Sequence, residues 1–505
     1  MNSELKDKKI LILQQRSWGV NIGHFLAKKL QAEGCHLAAL TLKRSTHKFI
    51  TRQTEVAYDL IVNNDEIMSE PKKYLGNDSY SLAQICEELG VDSIWPIVSS
   101  LRNFVRTYAD KFNYGYKQNV SDEGIIDYVK AIYKYITIIF DEFDPECIIT
   151  PNFVALPHIM LYLYAKKRGI KMFGVTDCKI KGYYIFSYDP FDSSGRFYDQ
   201  IDKLNDQSIE SPNILNAKKY IKEFREQYKK PVSFEDPNKK VSIIKRLREE
   251  LSPFKQVISW YLRPQVNHLK IAGITPDFRP PRIILRDHFA HKKYQKFMKN
   301  YKYSDFSKIN KFAYFPLQVQ PEASIDVTAV YFNNQIEVAR LVAMSLPDDY
   351  VLAVKEHPGM IGYRTPSYIE KLARTPNVFL IDHHILNDEV LKRADLVVSP
   401  NSTTVAEAAF YGKPAIQLGN LGTTLKLPNV FKHTDFTTLA VKIKEVLKVN
   451  LKTTDYEIRL QNFVAAAFDT GFDLNYVRAW NKGCQQDLDR LWELYLNEIT
   501  FALKK

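Results

Sequence analysis

Cysteine is scarce in this 505-residue chain: five residues, Cys35, Cys86, Cys147, Cys178 and Cys484, lie far apart. There is no CxxC pair and no Cys/His cluster, so a disulfide scaffold is excluded and no zinc-site spacing is present; an odd, scattered set suits a reducing compartment. Long hydrophobic runs are also missing. The most apolar helical stretch, residues 132–140, contains Lys134 and falls short of the roughly 20 residues that span a bilayer. The opening Met1-Asn2-Ser3-Glu4-Leu5-Lys6-Asp7-Lys8-Lys9 mixes acids into its basic start, unlike a signal peptide. A soluble, cytoplasmic protein is expected, with peripheral attachment at the inner face of the cell membrane as an option. Internal repeats, low-complexity runs and RNP, zinc-finger or helix-turn-helix patterns are absent, and nucleic acid is not an expected partner.

The chain does carry excess positive charge: Lys and Arg number 70 against 58 Asp and Glu, a net +12. Its 45% hydrophobic and 25% charged residues argue against a disordered or fibrous chain, and its length allows two large domains or three smaller ones. Much of the charge falls between Lys218 and Lys270, including Lys229, Lys230, Lys239 and Lys240, in a helical pattern broken by Pro231, Pro237, Pro253 and Pro264. Such a stretch is either a solvated helical face or a surface for an anionic membrane.

Short apolar runs at residues 9–13, 36–42, 60–62, 93–96, 147–150 and 171–175 read as strands with helical patterns between them. Gly169 stands where a helix C-cap belongs. A second series of strands falls at 312–315, 350–354, 378–381, 396–399 and 415–418, again alternating with helices. Alternation with short loops means parallel, doubly wound sheets, so the fold class is α/β with two Rossmann-like domains. The expected organisation is an α/β domain over 1–215, a basic helical insertion or linker over 216–305, a second α/β domain over 306–450, and C-terminal helices over 451–505 that pack back across the junction. Pro276, Pro280 and Pro281 mark the break before the second series.

Ligands of open parallel sheets bind at the carboxyl ends of the strands, so the residues following each strand of the second series are the informative ones. After the first come Gln318 and Glu322, which can offer an amide and a carboxylate. After the second comes Lys355-Glu356-His357-Pro358-Gly359, where Lys355 and His357, held by Pro358, suit an anion such as phosphate. After the fourth comes Asn401-Ser402-Thr403-Thr404-Val405-Ala406-Glu407-Ala408. This puts hydroxyls and backbone N–H groups at a helix N-terminus, an anion site or a simple cap. Glu407, one turn in, can reach ribose hydroxyls or merely pack. Together these loops describe one cleft for a phosphate-bearing ligand, a nucleotide. The first loop, Gln14 to Gly23, is not a GxGxxG fingerprint.

The second series resembles the capsule polysaccharide biosynthesis family, whose members include Kdo transferases of the GT-B fold. The resemblance covers about residues 310–430. It rests on Phe315-Pro316-Leu317-Gln318, Lys355-Glu356-His357-Pro358, the Asn401 to Ala408 segment and Gly412-Lys413-Pro414. It implies a glycosyltransferase of capsule or lipopolysaccharide synthesis using a nucleotide-sugar donor such as CMP-Kdo, with His357, Ser402 and Thr403 on the CMP phosphate and Glu407 near the ribose. The segment departs from the family at Val405-Ala406 and at Pro321-Glu322. No DxD stands at a strand end, so neither a metal nor a cofactor is expected, and Lys355, His357 and the helix N-terminus at Ser402 would neutralise the departing phosphate. The acceptor, a glycan or lipid-linked oligosaccharide, is expected on the first domain near Arg16, Gly19, His24, Asn152 and His158. His24, Asp177 and His158 are candidates for the base, and Lys179 for meeting a donor carboxylate. A CDP-glycerol-type glycerophosphotransferase, a nucleotide-sugar 2-epimerase and a non-catalytic assembly or export protein are the alternatives.

Overall fold

A computed structural model describes residues 4–101, 120–228, 242–263 and 280–504. Lys229, Lys230, Lys239, Lys240, Pro231, Pro237, Pro264 and Pro276 lie outside the described residues. Two sheets organise the chain. The first contains β1 (Lys9–Gln14), β2 (His36–Thr41), β3 (Leu60–Asn63), β4 (Cys147–Ile149), β5 (Lys171–Asp177) and β6 (Tyr183–Ser187). The second contains β7 (Phe312–Pro316), β8 (Val351–Lys355), β9 (Val378–Ile381), β10 (Leu396–Ser399), β11 (Ala415–Gln417) and β12 (Val430–Lys432). The last strand, β13 (Phe472–Asp473), returns to the first sheet, whose order is β13-β6-β5-β4-β1-β2-β3. The second sheet runs β12-β11-β10-β7-β8-β9 and is parallel throughout.

Both sheets are wound outward from their first strand, so chain order reverses between β1 and β4 and again between β7 and β10, where an open α/β sheet leaves a crevice. Their strands read as apolar runs because helices cover both faces: Ile10, Leu11, Ile12 and Leu13 are all fully buried, as are Phe312, Ala313 and Phe315. This is the GT-B-like α/β architecture expected from the sequence.

One local expectation is corrected. Residues 93–96 are not a strand: Trp95–Val98 is a short helix with Pro96 in its first turn, and Ser93 Oγ accepts the Trp95 N–H at 3.3 Å. Proline fits that first turn, where its missing N–H has no intrahelical partner to lose. The antiparallel strands β6 and β13 and the short β12 were not anticipated. Gly169 does end helix Leu156–Lys167, at φ +73°.

The C-terminal helices tie the halves together. Helix Gln485–Leu503 packs Leu491, Tyr495 and Ile499 beneath the first sheet, in one core with Ile10, Ile12 and Phe173. Helix Thr454–Thr470 joins helices Arg196–Asn205 and Ile214–Glu226 in a core that reaches Phe410 of the second half, where Phe224 stacks on Phe410 at 4.2 Å between centroids. Gly422 N–H donates to Phe191 O at 2.7 Å, and the Tyr198 and Thr423 hydroxyls hydrogen-bond at 3.0 Å. A Cβ on Gly422 would stand 2.4 Å from the Asp192 carbonyl oxygen. Gly422→Ala should therefore push the two halves apart and lose about 1–3 kcal/mol in urea denaturation, the usual cost of overpacking.

Candidate functional site

At the carboxyl edge of the second sheet, beside the β7/β10 reversal, lies a cavity of about 430 Å³. That volume is within the range of small-ligand sites. Its walls are the loops after β7, β8, β9 and β10, together with Asp177 and Lys179 reaching over from the first sheet. All ten residues assigned to a nucleotide from the sequence line it: Gln318, Glu322, Lys355, His357, Pro358, Asn401, Ser402, Thr403, Thr404 and Glu407.

Lys355 ends β8 in register with Pro316 of β7. It is buried, and its Nζ donates to Ile385 O at 2.9 Å. Burial lowers its pKa to about 8, while Glu407 and Asp388 pull the other way. It is a cation on the edge of losing its proton, and an anion in the cavity would keep it charged.

His357 corrects one expectation. Burial, with Arg364 and Lys355 nearby, lowers its pKa to about 4, so near neutrality it carries no charge. Nδ1 accepts the Gly359 N–H at 3.1 Å, which leaves the ring proton on Nε2. His357 can give a phosphate a hydrogen bond, not a positive charge; of the two residues, Lys355 supplies the charge.

Two of the polar groups in the Ser/Thr loop are occupied with holding it in place. Ser402 Oγ caps helix Thr403–Phe410 by accepting the Thr404 N–H at 3.1 Å. Asn401 donates to Ser324 O at 2.9 Å and Thr328 Oγ1 at 2.8 Å, and accepts the Leu421 N–H at 3.2 Å. Thr403, half-buried, and the helix N-terminus border the cavity. Glu407 is more deeply engaged than a ribose contact requires. Burial raises its pKa to about 7, and Asn387 and the Tyr228 hydroxyl both hydrogen-bond its carboxylate. Tyr314 in turn donates to Asn387 at 2.9 Å.

Beneath these loops Arg364 and Glu356 form an ion pair, each side chain only 1% exposed. Arg364 also donates to Gln318 O, and the His357 N–H donates to Glu356 Oε1 at 2.7 Å. One buried guanidinium thus fastens the loop after β7 to the loop after β8.

Asp177 and Lys179 are the members of the first-sheet set that reach this cavity. Lys179 Nζ pairs with Asp177 Oδ2 at 3.2 Å, and the Lys179 N–H donates to Asp177 Oδ1 at 2.8 Å. Burial disfavours the Lys179 charge, but Asp177 and Asp192 outweigh it and raise its pKa. His24 does not line the cavity: it is buried, pairs with Glu55 at 2.8 Å and meets Phe49 edge-on. His158 is buried as well, 3.2 Å from Gln15 Oε1 across the β1/β4 reversal. Arg16 is exposed and Asn152 half-buried at that same edge, away from the cavity's walls. Gly19 serves packing, since a Cβ there would sit 2.9 Å from the Thr46 methyl and 3.0 Å from Gln14 backbone.

Asn387, Tyr228, Tyr314, His383 and His384 also line the cavity and were not anticipated. Asp382 to Asn387 follows β9, whose carboxyl end carries none of the quoted motifs; position after a strand is the signal that finds them. Tyr228 carries no local signal at all. Asp382, His383 and His384 bring potential metal-ligating atoms within 4.8 Å of one another. His384 Nδ1 already lies 2.8 Å from Asp382 Oδ1, and His383 Nδ1 3.1 Å from the Tyr303 hydroxyl.

No family model and no curated protein matches this chain. Among solved structures, a β-Kdo 2,7-transferase, KpsC, from Thermosulfurimonas dismutans is similar at 12% identity, covering 72% of this chain and 89% of that one, with a TM-score of 0.35. The N-terminal domain of Candida albicans trehalose-6-phosphate phosphatase aligns at 14% identity over 99% of this chain and 98% of its own, with a TM-score of 0.30. The UDP-GlcNAc 2-epimerase of Neisseria meningitidis bound to UDP-GlcNAc aligns at 10% identity over 97% and 100%, with a TM-score of 0.21. Likenesses this distant transfer neither reaction nor ligand to this chain.

Proposed function

We propose that this chain is a glycosyltransferase of surface-polysaccharide synthesis, moving an acidic sugar of the Kdo type from a CMP-activated donor to a glycan or lipid-linked acceptor without a metal. The observation that carries the reading is the convergence at one cavity of a buried, marginally charged Lys355, a neutral His357 with its proton on Nε2, and a capped helix N-terminus. These groups suit a departing phosphate: charge that develops on it is met by an ammonium and by oriented N–H donors in a site screened from water. The motif resemblance at Lys355 to Pro358 and Asn401 to Ala408 supports the choice of donor. Of the three base candidates, Asp177 lines the cavity, and it takes that role.

The test is thermal stabilisation by CMP, CDP, UDP, GDP and ADP, with and without EDTA. CMP at about 100 times its dissociation constant should add about 2.7 kcal/mol. Lys355→Ala removes a charged hydrogen-bond partner and should weaken CMP roughly 10- to 100-fold, in line with about 1.5–3 kcal/mol for such a bond. Affinity in the native chain should be level between about pH 7 and 8 and fall above it, because free Lys355 then loses its proton and the anion must take one up with it on binding. Lys355→Ala should lack that fall. Preference for another nucleotide would discard the CMP assignment, and stabilisation lost in EDTA would discard metal independence.

A further inference from the structure

Helix Ile243–Leu262 presents an apolar face that no described residue covers. Ile244, Leu247, Leu251, Phe254, Ile258 and Leu262 are between 42% and 76% exposed. At 3.6 residues per turn all six fall within about 100° of arc, a single stripe along the helix. The opposite side is already used: Trp260 and Val257 pack against Ile284 of helix Pro281–Lys299, and Glu250 pairs with Lys292. The stripe is therefore a second face, not the core of the hairpin.

Charge identifies its occupant. In sequence, residues 242–263 and 280–299 carry eleven Lys and Arg against three Asp and Glu, so 11 − 3 gives +8, most of the chain's +12. Arg248 and Lys255, both outside the stripe's core, border it on one side. A second copy of this helix would bring like charges together, and Pro253 interrupts the helix at the middle of the seam. An apolar stripe beside basic side chains instead matches a helix lying in a membrane interface, with its apolar side among acyl chains and its cations at anionic headgroups. No helix among the described residues is long and apolar enough to cross a membrane, so the helix would lie on the bilayer.

We propose that this face of helix Ile243–Leu262 docks the protein on an anionic lipid bilayer. The proposal goes beyond the nucleotide reading and does not depend on it, because vesicle binding is measured without nucleotide. The experiment is flotation of the full chain with phosphatidylcholine vesicles containing about a third phosphatidylglycerol, against phosphatidylcholine alone. The native chain should float with the anionic vesicles, not with the neutral ones, and less as salt shortens the Debye length. The double variant Leu251→Glu, Ile258→Glu changes two exposed residues and should bind at least about tenfold more weakly. An unchanged melting temperature in the variant shows that it is folded. Failure of the native chain to bind anionic vesicles, or equal binding by the variant, overturns the proposal. So does sedimentation showing a native dimer that the variant splits, since a second copy then covers the stripe.

Discussion

Arg364→Ala should cost the fold about 3–5 kcal/mol, the penalty for leaving one partner of a buried ion pair uncompensated. Glu356 and Arg364 are each 1% exposed, and Glu356 Oε2 has no hydrogen-bond partner among the described residues. Without the guanidinium, the buried carboxylate must keep its charge unpaired or take up a proton, and Gln318 O loses a donor. The loops after β7 and β8 would also come unfastened, so nucleotide stabilisation should fall together with the urea midpoint. Replacing both members, Glu356→Leu with Arg364→Met, should recover much of the loss, since a paired charge contributes little more than a well-packed apolar pair. A single variant that loses under about 1 kcal/mol would mean that water reaches the site.

Asp177→Asn should lower kcat about 10²- to 10⁴-fold, the usual worth of a positioned general base. Asparagine keeps an oxygen for the Lys179 N–H, which now donates to Asp177 Oδ1 at 2.8 Å, so the loop should hold its shape. Lys179 also keeps Asp192 as a charge partner. CMP affinity should therefore stay within about twofold while turnover of a CMP-sugar with a glycan acceptor collapses, a split that separates chemistry from donor binding. His24→Ala, by contrast, should leave turnover nearly intact, because His24 is held by Glu55 and Phe49 and does not line the cavity. Equal activity in native chain and Asp177→Asn would send the base search elsewhere on the cavity wall.

Much of the cavity was legible because its lining is local. Each strand of the second series is a short apolar run, and each carboxyl end is followed at once by its polar residues, as in Lys355 to Pro358 or Asn401 to Glu407. Strand topology then brings those ends together without further information. The first-sheet candidates were less legible. His24, His158 and Gly19 stand at plausible loop positions, but their surroundings, Glu55, Gln15 and Thr46, belong to other segments, and burial cannot be read from spacing. Likewise β13, two residues long, exists only because β6 is beside it.

By itself the sequence determined two largely parallel α/β sheets, most of their strands, and the loops that could hold a phosphate, because alternating apolar runs and strand-end residues are encoded within a few positions of each other. The tertiary structure decided what long-range contact decides. Burial set the protonation of Lys355, His357 and Glu407. It fastened two loops through Arg364, and it brought Tyr228, Asp177 and Lys179 to a cavity built mostly by the other sheet. It also left helix Ile243–Leu262, within the basic stretch, with one face packed and one face bare among the described residues. A charge's environment is a property of its neighbours in space, and most of those neighbours lie far away along the chain.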